Sequence, residues 1–398
     1  MKRGAPPIRA FLINPDQIED ELNAFGLAEE EVKNCRGRLV TLALRLYRIP
    51  VQAKPLLEKA ALTHGAEIVF SGSGAALPGL FDVIIIATEN QLTAISAQLQ
   101  LLNKSAAKLG VALAEALERK HKSKPDRLVL GEHSLPLGSR TLIMGILNVT
   151  PDSFSDGGRF DHIDAALEQA YRMAEEGADI IDIGGESTRP GHKPVPIEDE
   201  LQRVIPVIEA LKGDRSFKLP LSIDTYKAEV AEQAVDRGAE MINDVWGMKD
   251  KSTVGMVAAE KNVPICLMHN RSSTDYDNLI PDILCELLTS VEKARMAGIS
   301  EEMIIIDPGI GFGKDLQQNL DVMLNLNMFC SLGYPLLLGA SRKSMIGKTL
   351  NLPVEERMEG TAATTAIGIS AGVDIVRVHE VREMRRVAAM TDAMCRRR

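Results

Sequence analysis

The segment TLIMGILNVTPDSFSDGG, Thr141–Gly158, changes abruptly from an apolar run to a polar loop that contains glycine. Leu142–Leu147 is predicted to be a fully buried β-strand, because it offers no polar side chain to solvent. The strand ends at Asn148, and the loop after it carries hydroxyls and carboxylates but few side chains that could pack in a core. This composition is typical of a mobile binding loop rather than of a simple connection.

The alternation of an apolar strand with a helix continues to the end of the chain. Eight β-α units are predicted, which is typical of a TIM barrel, with a doubly wound parallel sheet as the alternative. Two of the predicted helical regions are Asp315–Met328 and Lys343–Ala371. The predicted strands are Leu142–Leu147, Asp179–Ile183, Leu219–Ile223, Met241–Asp244, Ile265–Met268, Met303–Ile306, Pro335–Leu338 and Asp374–Val378.

The part of the chain before the barrel is predicted to be a small α/β domain, residues 1–118, with no assigned function. The basic, proline-containing stretch ERKHKSKPDR indicates a linker at residues 119–126, so the barrel is expected to occupy residues 127–398. Its first segment, Arg127–Arg140, is predicted to form a short hairpin. The strands and helix expected in the small domain are Ile8–Asn14, Leu39–Tyr47, Glu67–Phe70, Asp82–Ala87 and Gln91–Leu109.

Composition excludes several classes of function. A net charge of −9 argues against nucleic acid as a partner. The chain contains no run of about 18 apolar residues that could cross a membrane. Its five cysteines form no C-x-x-C pair, so neither a zinc site nor a disulfide framework is expected. The N-terminus makes a poor signal peptide, and a cytoplasmic location is therefore expected.

Polar side chains follow the predicted barrel strands at the point where each strand ends. Because the carboxyl ends of barrel strands meet at one face, these side chains are expected to form an active site there. An isolated carboxylate in such a place is often only a helix cap, but the number of polar strand ends favours function. The polar strand ends are Asn148, Asp182, Asp224, Asn243, His269, Asp307, Arg377 and His379.

Two kinds of chemistry are indicated by these side chains. Asp224, Asn243 and Asp307 suit a flat heterocycle that carries adjacent N–H and amino donors, while Lys343 could donate to the acceptors of the ring. The second set suits a phosphate-like anion together with Mg²⁺, which prefers oxygen ligands. That second set comprises Asn148, Arg189, Arg377 and His379.

Two glycine-containing segments resemble phosphate loops. Gly347-Lys348-Thr349 lacks the earlier glycine of a P-loop and is predicted to be helical. Gly309–Lys314, GIGFGK, leaves two interpretations open, a phosphate nest or a ligand-facing loop rich in small residues.

From about Arg127 to the end, the sequence resembles the dihydropteroate synthase family. The resemblance covers about two-thirds of the chain, and so many long motifs in one order make it specific. The motifs are MGILNVTPDSFSDGG (Met144–Gly158), DIGGESTRPG (Asp182–Gly191), SIDTYKAEVAEQA (Ser222–Ala234), INDV (Ile242–Val245), DPGIGFGK (Asp307–Lys314), GASRKS (Gly339–Ser344) and RVH (Arg377–His379).

The resemblance implies condensation of 6-hydroxymethyl-7,8-dihydropterin pyrophosphate with p-aminobenzoate, giving 7,8-dihydropteroate and pyrophosphate in folate biosynthesis. It implies Mg²⁺ as the cofactor and a homodimer packed through late barrel helices. It also implies a p-aminobenzoate pocket in which sulfonamides compete. The implied residues are Asp224, Asn243, Asp307, Lys343 and Met268 for the pterin; Asn148, Arg377 and His379 for pyrophosphate, with Asn148 also a metal ligand; and Thr188, Arg189, Pro190, Phe312 and Ser344 for p-aminobenzoate. Among these, the resemblance implies catalytic roles for Asp224, Asp307, Lys343 and Arg377.

One segment departs from the family pattern. After Met268-His269 the family commonly has a longer loop resembling M-R-G-x-P-x-x-M-Q, which Asn270–Tyr276 replaces here. Two other functions stay open as alternatives, a methyltetrahydrofolate:corrinoid methyltransferase and a non-catalytic pterin-binding protein. The complete NVTPDSFSDGG loop and the Arg377-Val378-His379 segment favour the synthase over the methyltransferase, which has no pyrophosphate to bind. Lys343 and the loop residues are all present, which argues against a non-catalytic protein.

Overall fold

The computed structural model describes residues 29–32, 35, 40–71, 79–121, 124–150, 159–186, 194–249 and 252–396. The described residues fall into two compact units, one within Met1–Lys122 and one within Ser123–Arg398. The predicted strand Ile8–Asn14 lies outside the described residues, as do the loop residues 151–158 and 187–193.

The first unit is built on a three-stranded antiparallel sheet. Its strands are β1 (Thr41–Pro50), β2 (Glu67–Phe70) and β3 (Leu80–Thr88), and β3 lies between the other two. Its helices are α1 (Lys54–Thr63), α2 (Glu89–Gln100) and α3 (Lys104–His121). Apolar side chains from the sheet and the helices, among them Ile85, Leu92 and Leu113, form a core of their own.

The predicted helix Gln91–Leu109 is wrong, because two helices occupy this region. The chain leaves α2 after Gln100, and Asn103 begins α3: its Oδ1 accepts the backbone N–H groups of Ser105 and Ala106 at 3.1 and 3.0 Å. An asparagine that satisfies the first free N–H groups of a helix is a strong start signal, which outweighs the apolar periodicity that continues across it. Helix α3 extends to His121, so residues 119–121 of the predicted linker are helical.

The second unit is the predicted TIM barrel. Its strands are β6 (Leu142–Asn148), β7 (Ile180–Gly184), β8 (Leu221–Asp224), β9 (Met241–Asp244), β10 (Ile265–Met268), β11 (Ile304–Asp307), β12 (Leu337–Leu338) and β13 (Ile375–Val378). They pair in parallel in the order β11-β10-β9-β8-β7-β6-β13-β12. A parallel bridge between Ile306 and Leu336 closes the ring.

The barrel helices are α4 (Arg159–Glu175), α5 (Ile197–Gly213), α6 (Ala228–Asp236), α7 (Gly255–Lys261), α8 (Leu279–Met296), α9 (Leu316–Leu324), α10 (Leu326–Cys330), α11 (Ser344–Leu350), α12 (Met358–Ser370) and α13 (Val381–Cys395). Two regions predicted as single helices are each divided in two. Asn325 separates α9 from α10, and Asn351, with φ of 56°, ends α11. The left-handed conformation at Asn351 stops a helix, and Pro353 prevents its immediate continuation.

The hairpin before the barrel closes its amino-terminal end. Strands β4 (Arg127–Leu130) and β5 (His133–Pro136) pair antiparallel, as predicted. Leu128 and Leu130 join one apolar cluster with residues at the beginnings of the barrel strands, such as Leu142 and Ile180. With this end filled by apolar side chains, the opposite, carboxyl end of the strands is the one available for polar groups.

Among the described residues, no helix is long and apolar enough to cross a membrane. The cytoplasmic location stays a prediction.

Candidate active site

The ends of neighbouring strands bring the predicted polar residues to one mouth of the barrel. Strand pairing places Asn148 opposite Gly184, Gly184 opposite Asp224, and Asp224 opposite Asn243. A β-carbon on Gly184 would lie 3.7 Å from Asp224 Oδ2 and 3.8 Å from Asn148 Oδ1. On the other side of the mouth, Asp307 ends β11.

Arg377 is at the centre of this arrangement. Its Nε donates to Asp182 Oδ2 at 2.5 Å and its Nη2 donates to Asp224 Oδ2 at 2.7 Å. Asn243 Nδ2 donates to the same oxygen of Asp182 at 3.0 Å. The sequence placed Arg377 with an anionic group of the substrate, whereas here its guanidinium joins two carboxylates of the protein.

Two acceptor atoms in this network have no hydrogen-bond partner among the described residues. Asp182 Oδ1 and Asp224 Oδ1 are buried and accept no hydrogen bond from the described residues. A buried oxygen without a donor is costly, because it has lost its contact with water and gained nothing in exchange. The two oxygens are therefore suited to N–H donors of a bound ligand.

Burial controls the protonation of the two carboxylates that end β8 and β11. It raises the pKa of Asp224 to about 7, against the opposing charge of Arg377, and the nearby Asp182 raises it further. Burial also raises the pKa of Asp307 to about 6, although the N–H of Gly309 and the charge of Lys343 act in the opposite direction. Both carboxyl groups therefore change their protonation state close to neutral pH.

An apolar wall stands at the same end of the barrel. Val245, Met268 and Phe312 form a small cluster against which Tyr226 and Trp246 pack. Lys343 Nζ lies 4.0 Å from the centre of the Phe312 ring, within the range of a cation–π contact. The mouth therefore offers both a flat apolar surface and charged groups to a ring-shaped ligand.

The structure describes only some of the residues predicted to bind pyrophosphate and p-aminobenzoate. His379 is fixed through its Nδ1, which lies 2.9 Å from Ser341 Oγ. Ser344 is an exposed residue at the start of α11. Thr188, Arg189 and Pro190 lie outside the described residues.

Asp182 was identified as a polar strand end but not as a site residue. Its side chain is fully buried, and it connects Arg377 to Asn243. A carboxylate inside an otherwise apolar strand, at the third of the five residues of β7, was the available signal. Its importance depends on partners 195 and 61 residues away along the chain.

Lys227 was likewise not predicted from the sequence to be a functional residue. Its Nζ lies 2.6 Å from Glu186 Oε2, 2.6 Å from the carbonyl oxygen of Val195 and 2.5 Å from Glu200 Oε2. Glu200 is almost fully buried, and burial raises its pKa despite the nearby Lys227. The lysine thus links residues on both sides of the segment 187–193.

The glycines of GIGFGK are explained by close packing. Gly309 and Gly313 have φ of 69° and 56°, a left-handed conformation that favours glycine. A β-carbon on Gly309 would lie 1.9 Å from the carbonyl oxygen of His269, and one on Gly313 would lie 2.7 Å from that of Arg271. The loop therefore lies directly on the backbone that follows β10, which favours the second of the two interpretations left open by the sequence.

Comparison with known proteins relates this site to one family. A family model for pterin binding enzymes matches residues 144–379. A dihydropteroate synthase of Clostridium beijerinckii is 58% identical over 269 residues, which cover 67% of this chain and 99% of that protein. The solved dihydropteroate synthase of Clostridium difficile, in the presence of pteroic acid, is 52% identical with a TM-score of 0.64, covering 66% of this chain and 99% of that one.

A further relative extends over the first unit as well. The match to a probable bifunctional folylpolyglutamate synthase/dihydropteroate synthase of Haloferax volcanii is 38% identical over 393 residues. It covers 95% of this chain but 46% of that protein.

The raised pKa of Asp307 predicts a pH-dependent cost in stability. A carboxyl whose folded pKa exceeds its unfolded pKa stabilises the fold at acid pH, and this contribution is lost as pH rises through about 6. Asp307→Asn removes the ionisation and keeps an oxygen that can accept the N–H of Gly309. At pH 8 we expect a free energy of unfolding on the order of 2–3 kcal/mol above wild type, with little difference near pH 4.

Urea unfolding followed by the fluorescence of Trp246, the only tryptophan in the chain, would measure this difference. Asp275→Asn, a change of an exposed loop carboxylate, serves as the matched control. A variant less stable than wild type at pH 8 would contradict the expectation.

Proposed function

The chain belongs to the dihydropteroate synthase family of pterin binding enzymes, and from this premise we propose roles for the residues at the barrel mouth. The enzyme condenses 6-hydroxymethyl-7,8-dihydropterin pyrophosphate with p-aminobenzoate, forming 7,8-dihydropteroate and releasing pyrophosphate. The observation that carries the assignment of roles is the set of buried carboxylates beside an apolar wall, with two acceptor oxygens still unpartnered among the described residues.

The carboxylate side of the mouth would bind the pterin. Asp224 and Asp307 accept from the amino group and ring N–H groups, and the carbonyl oxygen of Asn243 is oriented by the donation of its amide to Asp182. Lys343 donates to a ring acceptor, and Met268 packs against the face of the ring. Each hydrogen bond replaces contact with water by contact with a fixed partner, so the pterin is both bound and oriented.

The opposite side would bind the pyrophosphate. Among the described residues, Arg377 uses Nε and Nη2 for protein carboxylates, which leaves Nη1 to donate to the anion. Ser341 fixes the ring of His379, and Asn148 lies beside Asp224 at the end of β6. The guanidinium thereby places a positive charge between the two halves of the substrate.

The arylamine would bind at the rim. Phe312 supplies an aromatic surface and Ser344 a hydroxyl, and the predicted contribution of Thr188, Arg189 and Pro190 falls outside the described residues. Sulfonamides would compete for the same place.

The reaction breaks the bond between the pterin methylene carbon and the pyrophosphate oxygen. The bonding electrons leave with pyrophosphate, so positive charge develops on the methylene and the pterin ring while negative charge develops on the leaving group. Asp224 and Asp307 stabilise the first, and Arg377 and His379 stabilise the second. The amine nitrogen then forms the new C–N bond and releases a proton, for which a strong base is unnecessary.

The metal would be held mainly by the substrate. The described residues contain no group of three or more His, Cys, Asp and Glu side chains that could hold a metal ion. Asn148 Oδ1 is one protein oxygen at the mouth, which suits Mg²⁺, because this ion keeps several waters and binds substrate phosphates. When bound, Mg²⁺ supplies positive charge to the leaving pyrophosphate.

Two helices near the end of the chain support the homodimer that the family resemblance implies. Helices α12 and α13 expose several large apolar side chains to solvent: Met358, Ile367, Met390 and Met394. Exposed apolar surface of this kind is typical of protein interfaces. We propose that these helices pack against those of a second copy.

Replacement of Lys343 tests the pterin assignment. Lys343→Met removes the donor but keeps the length of the side chain, and we expect kcat/KM to fall by about 10²–10³-fold. Lys348→Met, on the exposed face of α11, should leave it unchanged. Pyrophosphate release that depends on p-aminobenzoate is the measurement, and it also separates the synthase from the methyltransferase and non-catalytic alternatives. Near-normal turnover in Lys343→Met would remove this residue from the site.

Removal of Mg²⁺ tests the metal assignment. If the ion is bound together with pyrophosphate, calorimetry in EDTA should show pyrophosphate binding at least about 10-fold weaker than with Mg²⁺. Asn148→Ala should reduce this gain, because one oxygen ligand is lost. Equal pyrophosphate affinity with and without Mg²⁺ would contradict the proposal.

A charge on α12 tests the proposed dimer. Ile367 is 56% exposed, and Ile367→Glu would place a carboxylate in the proposed interface. We expect sedimentation to show a monomer, since a buried unpaired charge is costly. Met296→Glu, at an 88% exposed position on α8, should not change the mass. A monomeric wild type, or a dimeric Ile367→Glu, would count against the interface.

A further inference from the structure

Lys314, the last residue of GIGFGK, has no role in the reaction as described above. Its Nζ lies 3.0 Å from His269 Nδ1, 2.9 Å from the carbonyl oxygen of Gly309 and 3.0 Å from that of Phe312. The residue is only 8% exposed. A buried lysine with three acceptors at hydrogen-bond distance uses all three N–H groups of its ammonium form.

The partner histidine acts as an acceptor. Burial lowers the pKa of His269 to about 3, so its ring is neutral at physiological pH. With Nδ1 facing the ammonium of Lys314, the proton of the ring is placed on Nε2, which lies 3.3 Å from Glu286 Oε2. Glu286 in turn binds Lys249 Nζ at 2.6 Å and pairs with Arg271. The ring of His269 therefore lies between Lys314 on one side and the carboxylate of Glu286 on the other.

The loop that Lys314 holds carries part of the arylamine site. Two of the three contacts of Nζ are with carbonyl groups of this loop, and one of them belongs to Phe312. The third contact of Nζ, with His269 Nδ1, joins the loop to the residue that follows β10. The ring of Phe312 faces Lys343 Nζ at 4.0 Å. A displacement of the Phe312 backbone would thus move the aromatic surface and change its contact with Lys343.

Asn270–Tyr276, the segment that departs from the family pattern, makes two hydrogen bonds in this region. The hydroxyl of Tyr276 donates to the carbonyl oxygen of Gly313 at 2.8 Å, and Gln318 Nε2 donates to that of Thr274 at 2.8 Å. The first bond attaches the segment to the loop that Lys314 also contacts, and the second attaches it to α9.

We propose that Lys314 is a positioning residue for the arylamine substrate, acting by holding Phe312 through the loop 309–314. The inference rests on the proposed role of Phe312. Lys314 thereby affects binding of the second substrate, whereas the pterin and the pyrophosphate are bound by the residues described above.

The hold on the loop depends on the protonation of Lys314. Burial lowers the pKa of Lys314 to about 7, with Asp307 and Glu286 opposing the shift and Lys249 and Lys343 adding to it. Below this pH the ammonium satisfies all three acceptors. Above it a neutral amine has two N–H groups for three acceptors, so one contact is lost and the loop is held less firmly.

Lys314→Met and a matched variant test the proposal. Lys314→Met removes the three bonds at nearly constant volume, and we expect the KM for p-aminobenzoate to rise about 10-fold or more with the KM for the pterin pyrophosphate little changed. Lys348→Met, the same chemical change on the exposed face of α11, serves as the control. It should leave both KM values near those of wild type.

The wild-type enzyme gives a second test that needs no variant. Its KM for p-aminobenzoate should rise between pH 6.5 and 8.5, roughly the range in which an amine of pKa about 7 loses its proton, and Lys314→Met should show a high KM without this rise. Equal elevation of both KM values, or a flat wild-type profile, would overturn the inference. Absence of any pyrophosphate release in wild type would instead refute the proposed function.

Discussion

The two ion pairs of Arg377 are the interaction on which the barrel mouth depends. One guanidinium on β13 binds Asp182 on β7 and Asp224 on β8; both carboxylates are buried, and the arginine side chain is 17% exposed. Unpaired, either carboxylate would carry a large desolvation cost, and so would the guanidinium. The pairing allows negative charge to be kept inside an apolar barrel, and it explains why two carboxylate oxygens can stay available for a ligand.

Strands and lysines both position groups at this mouth. Strands hold Asp224, Asn243 and Asp307, whose positions follow from the pairing of neighbouring strands. Two lysines contact the chain near this mouth: Lys314 binds the loop after β11, and Lys227 binds Glu186 and Val195. A lysine suits this task, because its long side chain reaches across a gap and one ammonium group can satisfy three acceptors.

The match to pterin binding enzymes lies within the barrel, at residues 144–379. The match to the Clostridium beijerinckii synthase covers 99% of that protein but 67% of this chain. The first unit has its own apolar core, and no residue assigned to the reaction lies in it.

The sequence alone determined the barrel architecture and indicated the polar residues at the ends of its strands. Strands with buried apolar residues and polar ends are local patterns, so the barrel and residues such as Asp224 and Asp307 could be predicted from short segments. Asn103, Asn325 and Asn351 end or begin helices through single residues, which a periodicity of apolar residues does not register. Only the tertiary structure decided which groups meet. Arg377 and Asp182 are 195 residues apart, and Lys314 and His269 are 45 apart. Contacts over such distances arise when the barrel closes, and burial on closure then sets the charge of each group.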